Sequence, residues 1–184
     1  MARPPRSLRE RSLRRVPRTA LIVAVPEAEP LVGEWRAQHD SSAKHGVPAH
    51  ITLLIPFVPT EVVNEQLIGE LRDLFSSQPP FPFSLPRVAR FPDVAWLAPE
   101  PDEPFRRLTE LIVSRYPDYP PYEGIHDDVI PHLTVGEGDT ALQDEIDAAL
   151  SPHLPIYAEA KGVTLLLEDD TGHWQVLHDF PFPR

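Results

Sequence analysis

The chain contains no cysteine. Disulfides, thiolate nucleophiles and cysteine-ligated zinc are thereby excluded, although a chain without thiols fits any redox compartment. No stretch approaches the ~18 consecutive apolar residues of a membrane helix, so no membrane partner is expected. No GxxxxGK loop occurs, which removes ATP-dependent ligation, and no His-Glu-x-x-His pattern supports a zinc hydrolase. The apolar run 21–25 is short, and Pro26 and acids follow it with no small-residue cleavage site. It reads as a buried strand, not a signal peptide, and a cytoplasmic location is expected.

What is present is uneven. Residues 1–18 hold seven arginines and one acid, whereas the whole chain carries −11, which leaves −17 on residues 19–184. The first segment reads as a basic, disordered tail, and residues 19–184 as one folded domain. A body of that sign repels polyphosphate at long range, so no extended nucleic-acid footprint is expected. A small nucleotide or an RNA end is compatible with it, and the protein is expected to be a monomer.

The chain has 24 prolines, many at segment boundaries, where a missing N–H and a fixed φ end regular structure. With proline as punctuation, strands are expected at 19–25, 49–57, 132–136, 157–168 and 174–180, and a hairpin at 83–91 and 94–98. Helices are expected at 30–39, 61–75 with Thr60 as N-cap, 103–115 after the cap Asp102, and 140–150. Strands and helices mix without βαβ alternation, which favours α+β with antiparallel sheets.

One long-range echo stands out. Residues 48–54 read Pro-Ala-His50-Ile-Thr52-Leu-Leu, and residues 131–135 read Pro-His132-Leu-Thr134-Val. Eight His and eight Thr in a chain of this length give roughly 0.35 His-x-Thr triplets by chance, so one would mean little. Two, each flanked by aliphatics and preceded by proline, are a pattern. Side chains alternate along a strand, so His50 and Thr52 share one face while Ile51 and Leu53 share the other. The same holds for His132 and Thr134 against Leu133 and Val135. Two imidazoles can divide the roles of general base and general acid in displacement at phosphorus, and two hydroxyls can hold non-bridging oxygens. This chemistry calls for no metal and no cofactor.

The paired His-aliphatic-Thr-aliphatic motifs, 82 residues apart, resemble those of the two-histidine phosphoesterases, the 2'-5' RNA ligase and cyclic phosphodiesterase family. The resemblance runs over most of residues 19–182. It implies two pseudo-symmetric α+β lobes flanking a central cleft, each giving one motif. It also implies hydrolysis or formation of 2'-5' or 2',3'-cyclic phosphoester bonds, with His50 and His132 catalytic and Thr52 and Thr134 binding substrate.

Other residues stand between functional and ordinary readings. Lys44 and His45 precede the first motif in a Ser/Gly loop, where they either reach a phosphate or face solvent. Arg115, Tyr116, Tyr119 and Tyr122 precede the second motif. An aromatic there either stacks on a base or packs on the surface. Phe91 and Trp96 read as core, and His173 and His178 as surface or edge-strand residues. The cluster His126-Asp127-Asp128 offers a metal-dependent hydrolase as an alternative, and a non-catalytic nucleotide-binding protein is another.

Overall fold

The computed structural model describes residues 17–124 and 129–183. Among the described residues, nine strands form three antiparallel sheets flanked by helices, the α+β arrangement expected. A four-stranded sheet has the order β2-β1-β8-β9, from β1 (Thr19–Ala24), β2 (His50–Leu54), β8 (Gly162–Glu168) and β9 (Trp174–Pro181). A three-stranded sheet has the order β4-β5-β6, from β4 (Val88–Phe91), β5 (Val94–Leu97) and β6 (Leu133–Glu137). The pair β3 (Phe81–Leu85) and β7 (Ile156–Ala160) makes the third.

The two motif strands, β2 and β6, are both sheet edges and lie against each other. Their aliphatic faces are sealed: Ile51, Leu53, Leu133 and Val135 are buried in one core cluster that also holds Leu21, Leu97 and Leu165. Burial of such a side chain contributes about 1.5–3 kcal/mol, enough to fix the register that turns the His/Thr faces outward.

Helix α1 (Glu29–His39) packs on β6, and α4 (Glu103–Arg115) packs on β2. Each motif strand is thus covered by a helix from the other part of the chain. The Thr109 hydroxyl on α4 donates to the Leu53 carbonyl at 3.0 Å. A single-turn helix α2 (Ser41–Lys44) leads toward β2. α3 (Glu65–Phe75) packs on β9, and α5 (Thr140–Leu150) on the three-stranded sheet. Buried Gln143 of α5 donates to the carbonyls of Pro92 and Gly138, tying the β4–β5 turn to the end of β6.

Several boundaries differ from the sequence reading, among them the strand expected over 49–57, which ends at Leu54. The helix expected from residue 61 begins at Glu65, because the Asn64 side chain accepts from Leu67 N–H and takes the capping role assigned to Thr60. Thr60 lies instead in a single 3-10 turn, Thr60–Val62. Asp102 precedes its helix without capping it, since its carboxylate accepts from Arg106 Nε at 2.8 Å. The strand expected over 83–91 is two strands, β3 and β4, in different sheets, with Pro86 between them. The strand expected over 157–168 is likewise split, at Lys161, into β7 and β8.

Candidate functional site

The site grows from the facing edges. His50 and His132 are both half-buried. Each ring places Nδ1 2.7 Å from the carbonyl oxygen two residues back, Pro48 for His50 and Ile130 for His132. A carbonyl only accepts, so Nδ1 carries the proton in both rings. Each Nε2 then holds the lone pair when the ring is neutral and donates when it is charged.

Burial, chiefly, holds the His50 pKa down at about 4; the bond to the Pro48 carbonyl and Asp40 oppose this, while Arg36 and His132 add to it. Burial also lowers the His132 pKa, opposed by the bond to Ile130. Thr52 and Thr134 are half-buried on the same faces as their histidines. Thr52 pairs across β1 with Ile22, and Thr134 pairs across β5 with Trp96.

Those cross-strand partners make the two surroundings different. Beside His50 the sheet face is apolar, with Ala20, Ile22, Val47 and Leu166 buried around Trp174. They floor a cavity of about 220 Å³ that reaches His50 and Thr52. Trp174 forms part of its wall, with the Arg18 guanidinium 5.6 Å above the indole centroid. Arg18 is held by Glu168, whose fully buried carboxylate accepts from Nε at 2.7 Å. Beside His132 the neighbours are rings. Phe91 stacks on Trp96 at 4.7 Å, and both meet the imidazole edge-on, at 5.2 and 5.8 Å.

Of the other sequence candidates, His45 lines the cavity beside His50, with Nδ1 2.7 Å from the Ser41 carbonyl. Lys44 is exposed and does not line it. Tyr122 is half-buried; its backbone N–H donates to Ile55, and burial raises its phenol pKa. It stands outside the cavity lining. Tyr116 and Tyr119 pack on Phe57, Arg115 pairs with Glu70 at 2.9 Å, and none of the three lines the cavity beside His50. His173 is exposed and His178 lies on the edge strand β9.

Residues 126–128 and the basic segment 1–16 lie outside the described residues. Among the described residues, no group of three or more His, Asp or Glu side chains is placed to hold a metal ion. No described helix is long and apolar enough to cross a membrane.

Two readings change here. Trp96 is buried as expected but Phe91 is only half-buried, and both wall His132, because the Trp96–Thr134 pairing puts Trp96 on the motif face. Trp174 and Arg18 were not singled out. They become visible only once β8 and β9 close the sheet beyond β1. The one sequence signal was a tryptophan at a strand start, which is also ordinary core composition.

Comparison with known proteins bears on the family and the fold. A model of the 2'-5' RNA ligase superfamily matches residues 24–172, a span that includes both motifs. A Geobacillus kaustophilus protein named "Putative phosphoesterase" is 24% identical over 148 residues, covering 78% of this chain and 77% of its own. The crystal structure of Escherichia coli LigT complexed with 3'-AMP superposes with a TM-score of 0.60 at 18% identity, over 91% of this chain and 98% of LigT. TT0787 of Thermus thermophilus gives a TM-score of 0.59 at 21% identity, over 89% and 97% of the two chains. The chain belongs to the 2'-5' RNA ligase superfamily and is a phosphoesterase of the two-histidine type.

Proposed function

We propose that this protein is a metal-independent phosphodiesterase that opens 2',3'-cyclic or 2'-5' phosphoester bonds of a nucleotide or RNA terminus, using His50 and His132 as general base and acid. The observation that carries this reading is the matched anchoring of both rings. Each gives Nδ1–H to a carbonyl at 2.7 Å, which leaves two Nε2 atoms for proton transfer.

In hydrolysis of a cyclic phosphate, one neutral imidazole takes a proton from water as its oxygen bonds to phosphorus. The other, charged, gives its proton to the ribose oxygen as the P–O bond breaks. One water is consumed and the two rings exchange protonation states, so run backwards the same groups form the bond. Thr52 and Thr134 donate to the non-bridging oxygens and hold phosphorus between the rings.

The cavity beside His50 suits the organic part of the substrate. Its apolar floor and the Trp174 wall accept a planar base, and Arg18 gives the rim a cation. The likeness to LigT, crystallised with 3'-AMP, NADP+ and ATP, supports a nucleotide of that size. The acidic body favours a small ligand over a long nucleic acid.

The test is a panel assay in EDTA with 2',3'-cyclic nucleotides, 2'-5' dinucleotides and an RNA ending in a cyclic phosphate. Wild type is compared with the His50→Ala/His132→Ala double variant. Turnover by wild type alone is expected. Turnover that needs added metal, or that survives in the double variant, would overturn the mechanism. Nucleotide binding without product would assign a binding role.

A further inference from the structure

The two peptide segments that lead into the histidines are held by matching devices from separate parts of the chain. Arg36 on α1 donates from Nη2 to the Val47 carbonyl at 3.2 Å and from Nε to Asp40 Oδ2 at 2.9 Å. Arg106 on α4 donates from Nη1 to the Val129 carbonyl at 3.3 Å and from Nε to Asp102 Oδ2 at 2.8 Å. Val47 and Val129 each lie three residues before their histidine. Each aspartate is four positions from its arginine, on opposite sides in the two cases. One residue further on, Pro48 or Ile130 presents the carbonyl that receives Nδ1–H.

The next residue shows the same requirement met in two ways. The Ala49 N–H would be left without a partner, and Glu29 Oε1 accepts it at 2.6 Å. Its counterpart, Pro131, has no N–H to satisfy.

A guanidinium fixed in plane by a carboxylate at Nε has its remaining N–H directions set, which a lysine ammonium does not offer. Holding the carbonyl at the third position back fixes one peptide plane and thereby restricts the next, whose carbonyl meets the ring. Each helix also packs against the opposite motif strand, α1 on β6 and α4 on β2, so each arginine's helix touches both halves of the site.

We propose that Arg36–Asp40 and Arg106–Asp102 are positioning pairs for His50 and His132, each locking its imidazole as the Nδ1–H tautomer with Nε2 directed to the phosphate site. The catalytic consequence rests on the acid–base reading above; the tautomer lock does not.

The Arg106 pair is the one to probe first. Its side chains are 32% and 41% exposed, against 3% and 1% for Arg36 and Asp40, so its removal spares the core. Histidine-selective 15N NMR on the full chain reads the tautomer with no substrate present. In Arg106→Gln, His132 should admit a large fraction of the Nε2–H form while His50 stays unchanged. Arg106→Lys, which keeps the charge but not the planar fork, should fall between. On a turned-over substrate, Arg106→Gln should lose on the order of 10- to 100-fold in kcat with KM nearly unchanged, the cost of a small misplacement. A His132 tautomer unmoved by Arg106→Gln would overturn the proposal, as would equal changes at both histidines, which would signify general loosening. If the tautomer moves as expected but wild type turns over no phosphoester, the acid–base reading fails and the positioning role stands.

Discussion

The two histidines share an anchor and differ in what surrounds them. His50 looks onto an apolar cavity edged by Trp174 and Arg18, while His132 is walled by the Phe91–Trp96 stack. In the proposed mechanism the common part, an Nδ1–H held by a carbonyl, serves proton transfer, which needs the same group on both sides of phosphorus. The differing parts serve recognition, because the two ends of a phosphodiester are not alike. A duplicated arrangement can keep its chemistry while one copy specialises in binding and the other in shielding.

The strongest way to break this comparison is to remove the rings one at a time. His50→Ala and His132→Ala should each cost roughly 10²–10⁴-fold in kcat, the usual range for a positioned acid or base. The double variant should be little worse than the poorer single, because acid and base act in one step. Activity near wild type in either single variant would show that only one side is chemical.

The surroundings should separate next. Trp174→Leu keeps apolar bulk on the cavity wall but removes the aromatic plane. It should raise KM about tenfold or more, the value of one base stack of roughly 1–3 kcal/mol, with kcat nearly constant. Trp96→Leu breaks the stack on Phe91 and opens His132 to water. It should lower kcat, leave KM within about twofold, and let the His132 pKa rise toward its ordinary value, because burial is the largest cause of its depression. Equal KM effects from both variants would mean that the base is not confined to the His50 side.

The motif strands of this site were more legible in the sequence than its walls. A His-x-Thr pattern on a strand is a local statement, and period two is enough to put both side chains on one face. The motif pair therefore told in advance that His50 and Thr52, and His132 and Thr134, would each share a strand face. The helices at 103–115 and 140–150 were also readable, since their apolar spacing ends at clear breakers. What could not be read was set by strand pairing over long distances. Trp96 joins the site because it pairs with Thr134, and Trp174 because β9 closes the sheet beyond β8. The cap at Asn64 is hidden in the sequence because Val63 continues the apolar spacing of Leu67, Leu71 and Leu74 upstream of the true start, and Thr60 stands where a cap for that longer helix would fall.

Proton occupancy sharpens the comparison further. In the free enzyme the His50 pKa is about 4, and that of His132 is below its ordinary value. The profile of kcat/KM reports these free-enzyme values, so its bell should centre on the acid side of about pH 6.5. An anionic phosphate between the rings favours the imidazolium form and should displace the kcat profile to higher pH. A kcat/KM optimum above neutrality would show that burial does not govern these rings before substrate arrives.

The smallest expected effect is on stability. An unfolded histidine takes its proton near pH 6.5, whereas His50 in the fold takes it only near 4. Between those values the unfolded chain binds more protons, so stability falls as pH drops through that window and the loss levels off below it. His132 acts in the same direction over a narrower range, since its pKa is lowered as well. His50→Gln removes the larger contribution. Urea midpoints of the variant should therefore fall less than those of wild type between about pH 7 and about pH 5. The half-buried ring keeps the difference modest. Parallel curves for the two proteins would mean that His50 is solvated enough to titrate as a free imidazole, and the contrast between the two sides would then rest on their walls alone.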